Sequence, residues 1–263
     1  MRRHLLFLLP LPCLPVAADG GGFGGRHASK CKYENVSLGQ ADRVDVGSFT
    51  LFMKNQRSGR EQFSIRRVSV GDGVALELRS ESAIGDFRSA VRLEVDSLGS
   101  PVRYSLEERS GAEVSLRLGG QRVRGRFATL ARGPLGEAAR EFLLVPGALV
   151  MEDDGIVQYA LVVRRAVQRA QRAKDGTFQD TARVATLTPS GNRTGSIRLV
   201  SVSIADTIVI AGARRAAARW RVLTDGGDVR DIWADAEGRL LRVRIPARGL
   251  DAVRDDIPRD VPR

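Results

Sequence analysis

From Val46 to Pro246 the chain repeats one arrangement, in which apolar residues stand two apart with charged residues between them. "SAVRLEVDS" (89–97) and "PVRYSLEER" (101–109) show it clearly. A strand turns successive side chains to opposite faces, so this period suits a sheet with one buried face and one wet face. A helix would need its apolar residues three and four apart. The same period runs through "VALELRSES" (74–82), "AEVSLRLGG" (112–120), "QRVRGRFATL" (121–130), "TARVATLT" (181–188) and "GSIRLVSVSIADTIVIAG" (195–212). It returns in "AAARWRVLT" (216–224), "VRDIWAD" (229–235) and "RLLRVRIP" (239–246). Gly, Ser, Asp or Pro bounds each run. Such spacing predicts an antiparallel meander and not strand–helix–strand units. The expected fold class is mostly β, a curved antiparallel sheet or open half-barrel with one main helix packed on it.

Three segments refine this picture. "GSFTLFMKNQRSGREQFSIRRVSV" reads as a hairpin turning at "RSGR", with Phe49, Leu51 and Met53 facing Phe63 and Ile65. Residues 156–173 hold Ile156, Tyr159, Val163, Val167 and Ala170 at helical spacing, with Arg165, Arg169 and Arg172 opposite. A helix is expected there, capped by Asp153 or Asp154, and serving as a lid on the sheet. Just before it, "REFLLV" reads as a strand and "PGALVM" as a short apolar segment. In "DIWADAEGRLLRVRIPARGLDAVRDD" (231–256), "DAEG" is the expected turn with Gly238 at positive φ. Leu241, Val243 and Ile245 should share one face and Leu240, Arg242 and Arg244 the other. Pro246 should end the strand, and this last hairpin is expected to close the sheet.

The first residues, "MRRHLLFLLPLPCLPVAADGGG", carry a basic pair (Arg2, Arg3), an apolar run (Leu5 to Leu14) and small residues at Val16-Ala17-Ala18. That is the layout of a secretory signal. The expected organisation is a signal peptide over 1–18, a Gly-rich tether over 19–45, one β-rich domain over 46–250 and a C-terminal tail over 251–263. A periplasmic or secreted location follows. No run is long and apolar enough to read as a transmembrane span. The formal charge is +11, and only Lys30, Lys32, Lys54 and Lys174 of the 42 basic residues are lysine. The charges are scattered and an exported chain meets no genome, so no nucleic-acid partner is expected. An attraction to anionic envelope surfaces remains.

The inventory of reactive side chains is short. His4 lies in the signal and His27 and Cys31 in the tether. A Ser-His-Asp, Cys-His or zinc site needs ligands or a base held by packing, so no catalytic residue, metal or cofactor is expected. Carboxylates are more numerous. "EDD" (152–154) could serve a hydrolase of envelope material, while adjacent Glu107 and Glu108 should point to opposite faces of a strand. Tyr104, Phe142, Tyr159, Trp220 and Trp233 are the candidate ligand-lining residues, with ordinary core packing as their competing role.

The stretches "GSFTLFMKNQRSGREQFSIRR", "GPLGEAAREFLLVPGALVMEDDGIVQYALVV" and "DIWADAEGRLLRVRIPARGLDAVRDD" together resemble uncharacterised bacterial exported proteins with a lipoprotein-carrier-like (LolA/LolB-like) sheet. The resemblance spans about residues 46–256. It implies a curved sheet covered by helix over its concave face, and transfers no functional residue. The leading expectation is an exported, non-enzymatic β-protein that binds an apolar or lipid-like ligand or an envelope partner. A carboxylate-dependent hydrolase and a structural or adhesive envelope component are the alternatives. An apolar cavity above about 300 Å³ would favour the first, buried carboxylates in a cleft the second, and a filled core with a basic flat face the third.

Overall fold

The computed structural model describes residues 43–70, 73–172 and 183–259. The expected signal, the tether as far as residue 42, His27 and Cys31 lie outside the described residues. Fifteen strands form one sheet, in the order β8-β7-β6-β5-β4-β3-β2-β1-β15-β14-β13-β12-β11-β10-β9. The first wing comprises β1 (Arg43–Met53), β2 (Gln56–Val70), β3 (Gly73–Ile84), β4 (Phe87–Val95), β5 (Pro101–Ser110), β6 (Glu113–Val123), β7 (Arg126–Gly133) and β8 (Gly136–Leu143). The second comprises β9 (Leu149–Val150), β10 (Val184–Thr188), β11 (Arg193–Ile210), β12 (Ala213–Thr224), β13 (Val229–Ala234), β14 (Leu240–Ile245) and β15 (Leu250–Arg254). Among the described residues one α-helix, α1 (Tyr159–Ala170), lies between β9 and β10 in sequence, and a 3-10 turn, Pro246–Arg248, joins β14 to β15. The alternating pattern is thus realised as a mostly antiparallel sheet, with β9 and β10 the parallel pair.

The strand order forces curvature. The two edges, β8 and β9, are joined by residues 144–148 alone. Six residue steps span at most about 20 Å. A flat sheet of fifteen strands would hold its edges about 65 Å apart, at roughly 4.8 Å per strand. The sheet must therefore coil until its edges nearly meet, although they do not pair. The middle of the sheet is the seam of first and last strands, with Phe49 opposite Arg254 and Leu51 opposite Ala252. The last hairpin thus lies at the centre and does not close the sheet. Residues 251–254, placed in the tail by sequence, join Leu250 in β15, because "LDAVR" carries the same alternation.

The inner face carries a single large core. Phe49 and Phe63 stack at 5.1 Å between centroids, and Leu78, Leu93, Tyr104, Phe127, Trp220, Ile232 and Val243 continue the cluster around the sheet. The helix supplies Tyr159, Leu161, Val162, Val163 and Ala166, all buried. It packs against β13 and β14. Its C-terminal half is tied to the first wing, where Arg165 donates to the carbonyls of Leu98 and Gly147. Burial of Leu161 and Val162 makes the apolar face broader than the stripe expected from sequence.

Three local expectations change. The first hairpin turns at Lys54 and Asn55, both at positive φ (51° and 66°), and not at "RSGR". This is the two-residue, left-handed geometry that matches strand twist, and Asn tolerates it well. "QRVRGRFATL" is not one strand, because Arg124 and Gly125, also at positive φ, turn β6 into β7. Neither Asp153 nor Asp154 caps α1. Gln158 stands at the N-cap without a side-chain cap bond, and the two aspartates pair with Arg193 and Arg248. "DAEG" does turn as expected, with Gly238 at φ 79°. A bulge between Trp233 and Ala234 then resets the alternation. Leu240 joins the inner core beside Val243 and Ile245, while Leu241 passes to the outer face.

Candidate functional site

Two features hold polar groups in arrangements beyond ordinary strand packing. One is an acidic cluster inside the sheet. The other is a groove on the outer face of β3 to β7.

The inner cluster begins with Glu61 on β2, which shares a face with Phe63 and Ile65 and is 1% exposed. Its carboxylate accepts the backbone N–H groups of Ile156 and Val157 at 3.3 and 3.0 Å. Those donors precede α1, so a residue ninety-odd positions away satisfies groups that helix starts leave open. Burial raises its pKa to about 7, against the lowering effect of these bonds and of Ser80. Two residues past β9, Glu152 accepts a hydrogen bond from the Tyr104 hydroxyl at 2.8 Å and others from Ser190. Burial pushes Glu152 up, and burial followed by the Glu152 charge pushes the Tyr104 hydroxyl well above its usual range. Glu108, half-buried, is raised by burial and then by Glu152 and Asp154. These carboxylates bond chiefly to hydroxyls and amides of the protein itself, which ties the segment before α1 to the first wing.

The groove follows from side-chain size. Strand register sets Arg92, Ser105, Gly119 and Leu130 in one row across β4 to β7. Ser105 and Gly119 leave the middle of that row low. A side chain added at Gly119 would meet nothing within 4 Å. The flanking rows carry Arg103 and Gln121 on one side, Glu107 and Arg117 on the other. The trough holds two contiguous recesses of about 500 and 620 Å³. Its apolar floor is Ala90, Ala128 and Leu130, and its rim carries five arginines (79, 92, 103, 117, 132) against Glu81, Glu94 and Glu107. The arginines are tied into a lattice of ion pairs. Glu77, 1% exposed, is bonded by Arg66, Arg79 and Arg92. Burial pushes its pKa up, but the hydrogen bonds from Arg66 and Arg79 and the Arg92 charge outweigh this and hold it below the usual value. The rim guanidiniums stay open to solvent, from 48% exposed at Arg79 to 72% at Arg103. The Arg117–Glu107 and Arg132–Glu137 pairs are open to solvent on both sides, and such pairs contribute about 0–1 kcal/mol each, so at these two arginines an incoming anion can replace a carboxylate at little cost.

Tyr104, Phe142, Tyr159 and Trp220 all lie in the inner core. Trp233 is on the opposite face, in a second cluster with Ile208, Ile210, Ala217 and Leu241. Arg219 and Arg242 stack on its ring, at 5.0 and 5.1 Å from the centroid. Trp233 thus stands on the other face from the remaining four, and of the five Tyr104 alone borders the groove. Sequence reading missed the groove because its defining residue, Gly119, reads as a turn in "LGGQ". The signal available was a glycine at an outward position, two residues past Arg117. Among the described residues no set of three or more His, Cys, Asp or Glu side chains is placed to hold a metal, and no helix is long and apolar enough to cross a membrane.

The fold and groove define an open, β-barrel-like protein. A solved structure is similar to it, the β-barrel-like protein of the domain of unknown function DUF1849 from Brucella abortus. The likeness has a TM-score of 0.52 at 10% identity, covering 84% of this chain and 100% of that one. It concerns the fold alone. No protein-family model and no curated protein matches the chain.

Proposed function

We propose that this is an exported, non-enzymatic binding protein that takes an anionic amphiphile into the outer groove, with the coiled sheet as a rigid carrier in the looser, lipoprotein-carrier-like sense. The observation that carries this reading is the trough at Ser105 and Gly119. It joins an apolar floor to a rim of solvent-open guanidiniums, so acyl carbon and a phosphate or carboxylate head each find a matching surface. Arginine offers a planar fork to such a head, and re-pairing costs little at Arg117 and Arg132, whose partners are themselves open to solvent. Export is supported by Arg2-Arg3, the run from Leu5 to Leu14 and Val16-Ala17-Ala18. The non-enzymatic reading is supported by Glu61 and Glu152, whose oxygens bond to backbone amides, Tyr104 and Ser190 within the protein.

Titration calorimetry with lysophosphatidylglycerol tests the groove. The unsubstituted chain should bind it and the Gly119→Leu variant should not. A leucine fits the open space over Gly119 and fills the trough, and glycine there has an ordinary φ, so the fold should survive. Equal binding by both chains would refute the groove.

A further inference from the structure

Most large apolar side chains of the described residues are buried, and the exceptions are not scattered evenly. Leu98, Val123, Leu143 and Val145 are 62%, 44%, 73% and 51% exposed. All four lie at one end of the first wing, on the β4–β5 turn, the end of β6 and the link that leaves β8. Hydrogen bonds hold these segments side by side. Arg122 donates to Asp96 at 2.6 Å, Leu144 N–H to the Gly125 carbonyl at 3.1 Å, and Gly147 N–H to the Ser100 hydroxyl at 2.6 Å. The patch is therefore one built surface and not four loose tips.

Its charge is positive. Segments 96–100, 122–126 and 143–147 carry Arg122, Arg124 and Arg126 against Asp96 alone. Arg124 stands at the very tip of the β6–β7 turn, exposed and at positive φ. The backbone at Leu98 is already satisfied. Leu98 N–H bonds to the Asp96 carboxylate, and the Leu98 carbonyl accepts from Arg165. Such a tip can leave water without stranding a polar group. Projecting apolar side chains among arginines, with the backbone satisfied at Leu98, match a bilayer interface, where the apolar tips enter the acyl boundary and guanidiniums meet anionic heads.

We infer that this end of the sheet, presented by Leu98, Val123, Leu143 and Arg124, docks the protein on an anionic lipid bilayer. None of Leu98, Val123, Leu143 and Arg124 lines the groove, whose nearest lining residue on β6 is Gln121, two positions from Val123, and neither reading depends on the other.

Co-sedimentation with vesicles of phosphatidylcholine and phosphatidylglycerol tests it, with phosphatidylcholine vesicles alone as the reference. The unsubstituted chain should sediment with the mixed vesicles and far less with the neutral ones. A Leu98→Ser/Leu143→Ser variant, carrying the same residues 1–42, should bind at least about tenfold more weakly for each leucine that the bilayer covers. Both positions are exposed, so circular dichroism should match that of the unsubstituted chain. Arg124→Glu should weaken binding to mixed vesicles only. Gly119→Leu should leave vesicle binding unchanged, which separates this surface from the groove. Equal sedimentation of the double leucine variant would overturn the inference, as would equal binding to neutral vesicles. Failure of the unsubstituted chain to sediment, or its pairing into a dimer through these leucines, would overturn it as well.

Discussion

Arg254 clasps Asp45 with two parallel hydrogen bonds, of 2.7 and 2.9 Å, and its side chain is 0% exposed. The two residues are 209 positions apart and join the last strand to the first. The same guanidinium lies 5.2 Å from the Phe63 ring centroid and also bonds to Asp256 and to the carbonyls of Val46 and Leu240. Removing Arg254 leaves Asp45 as a buried charge without its arginine, which costs about 3–5 kcal/mol, so Arg254→Met should lower the unfolding free energy by about that amount in urea melts. Arg254→Lys should fall nearly as far, since an ammonium cannot make the forked bond. Asp45→Ala should cost less, because Arg254 keeps its pairing with Asp256.

Glu61 gives the fold a pH dependence with a definite sign. Its native pKa of about 7 stands above the unfolded value of 4.5. The native state thus binds the proton more tightly. The contribution is fully present below pH 4.5 and is lost as pH rises through 7. The shift corresponds to about 3 kcal/mol. Glu108 and Glu152, also raised, act in the same direction, whereas Glu77 and Glu107, held below their usual values, stabilise above pH 4.5 and lose that effect as pH falls. A difference measurement isolates Glu61. Glu61→Gln should gain stability relative to the unsubstituted chain between pH 5 and 8, by a growing margin. A margin that stays flat across that window would show that Glu61 does not titrate there.

The adjacent glycines of β6 should respond in opposite ways. A Cβ at Gly120 would lie 2.7 Å from the Phe127 ring, which is itself fully buried. Overpacking of this kind costs about 1–3 kcal/mol. Gly120→Ala should lower the thermal midpoint, while Gly119→Ala should leave it unchanged or raise it slightly by reducing the freedom of the unfolded chain.

Beyond the backbone ladder and the Arg219 and Arg221 pairs with Asp231, a further polar contact ties β11 of the β11–β12 ribbon to β13. The Trp233 indole donates to Asp206 at 2.9 Å, and Ile208 and Ile210 cover the ring from the same ribbon. Asp206→Ala should cost about 1 kcal/mol. Hydrogen exchange should rise over residues 203–217 and not in β1 to β5.

The helix is a packed element and not a surface ornament. Val163 is 0% exposed. An unpaired carboxylate there costs several kcal/mol, so Val163→Asp should strongly lower the melting temperature. An unchanged midpoint would mean that α1 does not dock as described.

How far the sequence disclosed this molecule varies from residue to residue. The period of two in "SAVRLEV" and its neighbours set strands and faces, because alternation and burial are one physical fact. It could not set strand order, since β1 and β15 meet through contacts such as Asp45–Arg254 that no local pattern records. Turns were legible where glycine marked them, as at Gly238, and missed where Lys54-Asn55 adopted the same left-handed geometry. The capping of α1 was misplaced because its acid comes from β2. The aromatic candidates were read by residue type, and size and burial sent four of them to the inner core. The groove depends on a missing side chain at Gly119, which shows only once Ser105 and Leu130 stand beside it in register.

The outer groove is proposed to hold an anionic amphiphile. Native mass spectrometry of the protein, extracted gently from the cells that produce it, tests this most directly. The unsubstituted chain should carry an added mass that fragments to an acyl chain and an anionic head, and the Gly119→Leu chain from the same cells should carry none. An adduct-free spectrum for the unsubstituted chain, or the same adduct on both chains, would contradict the claim.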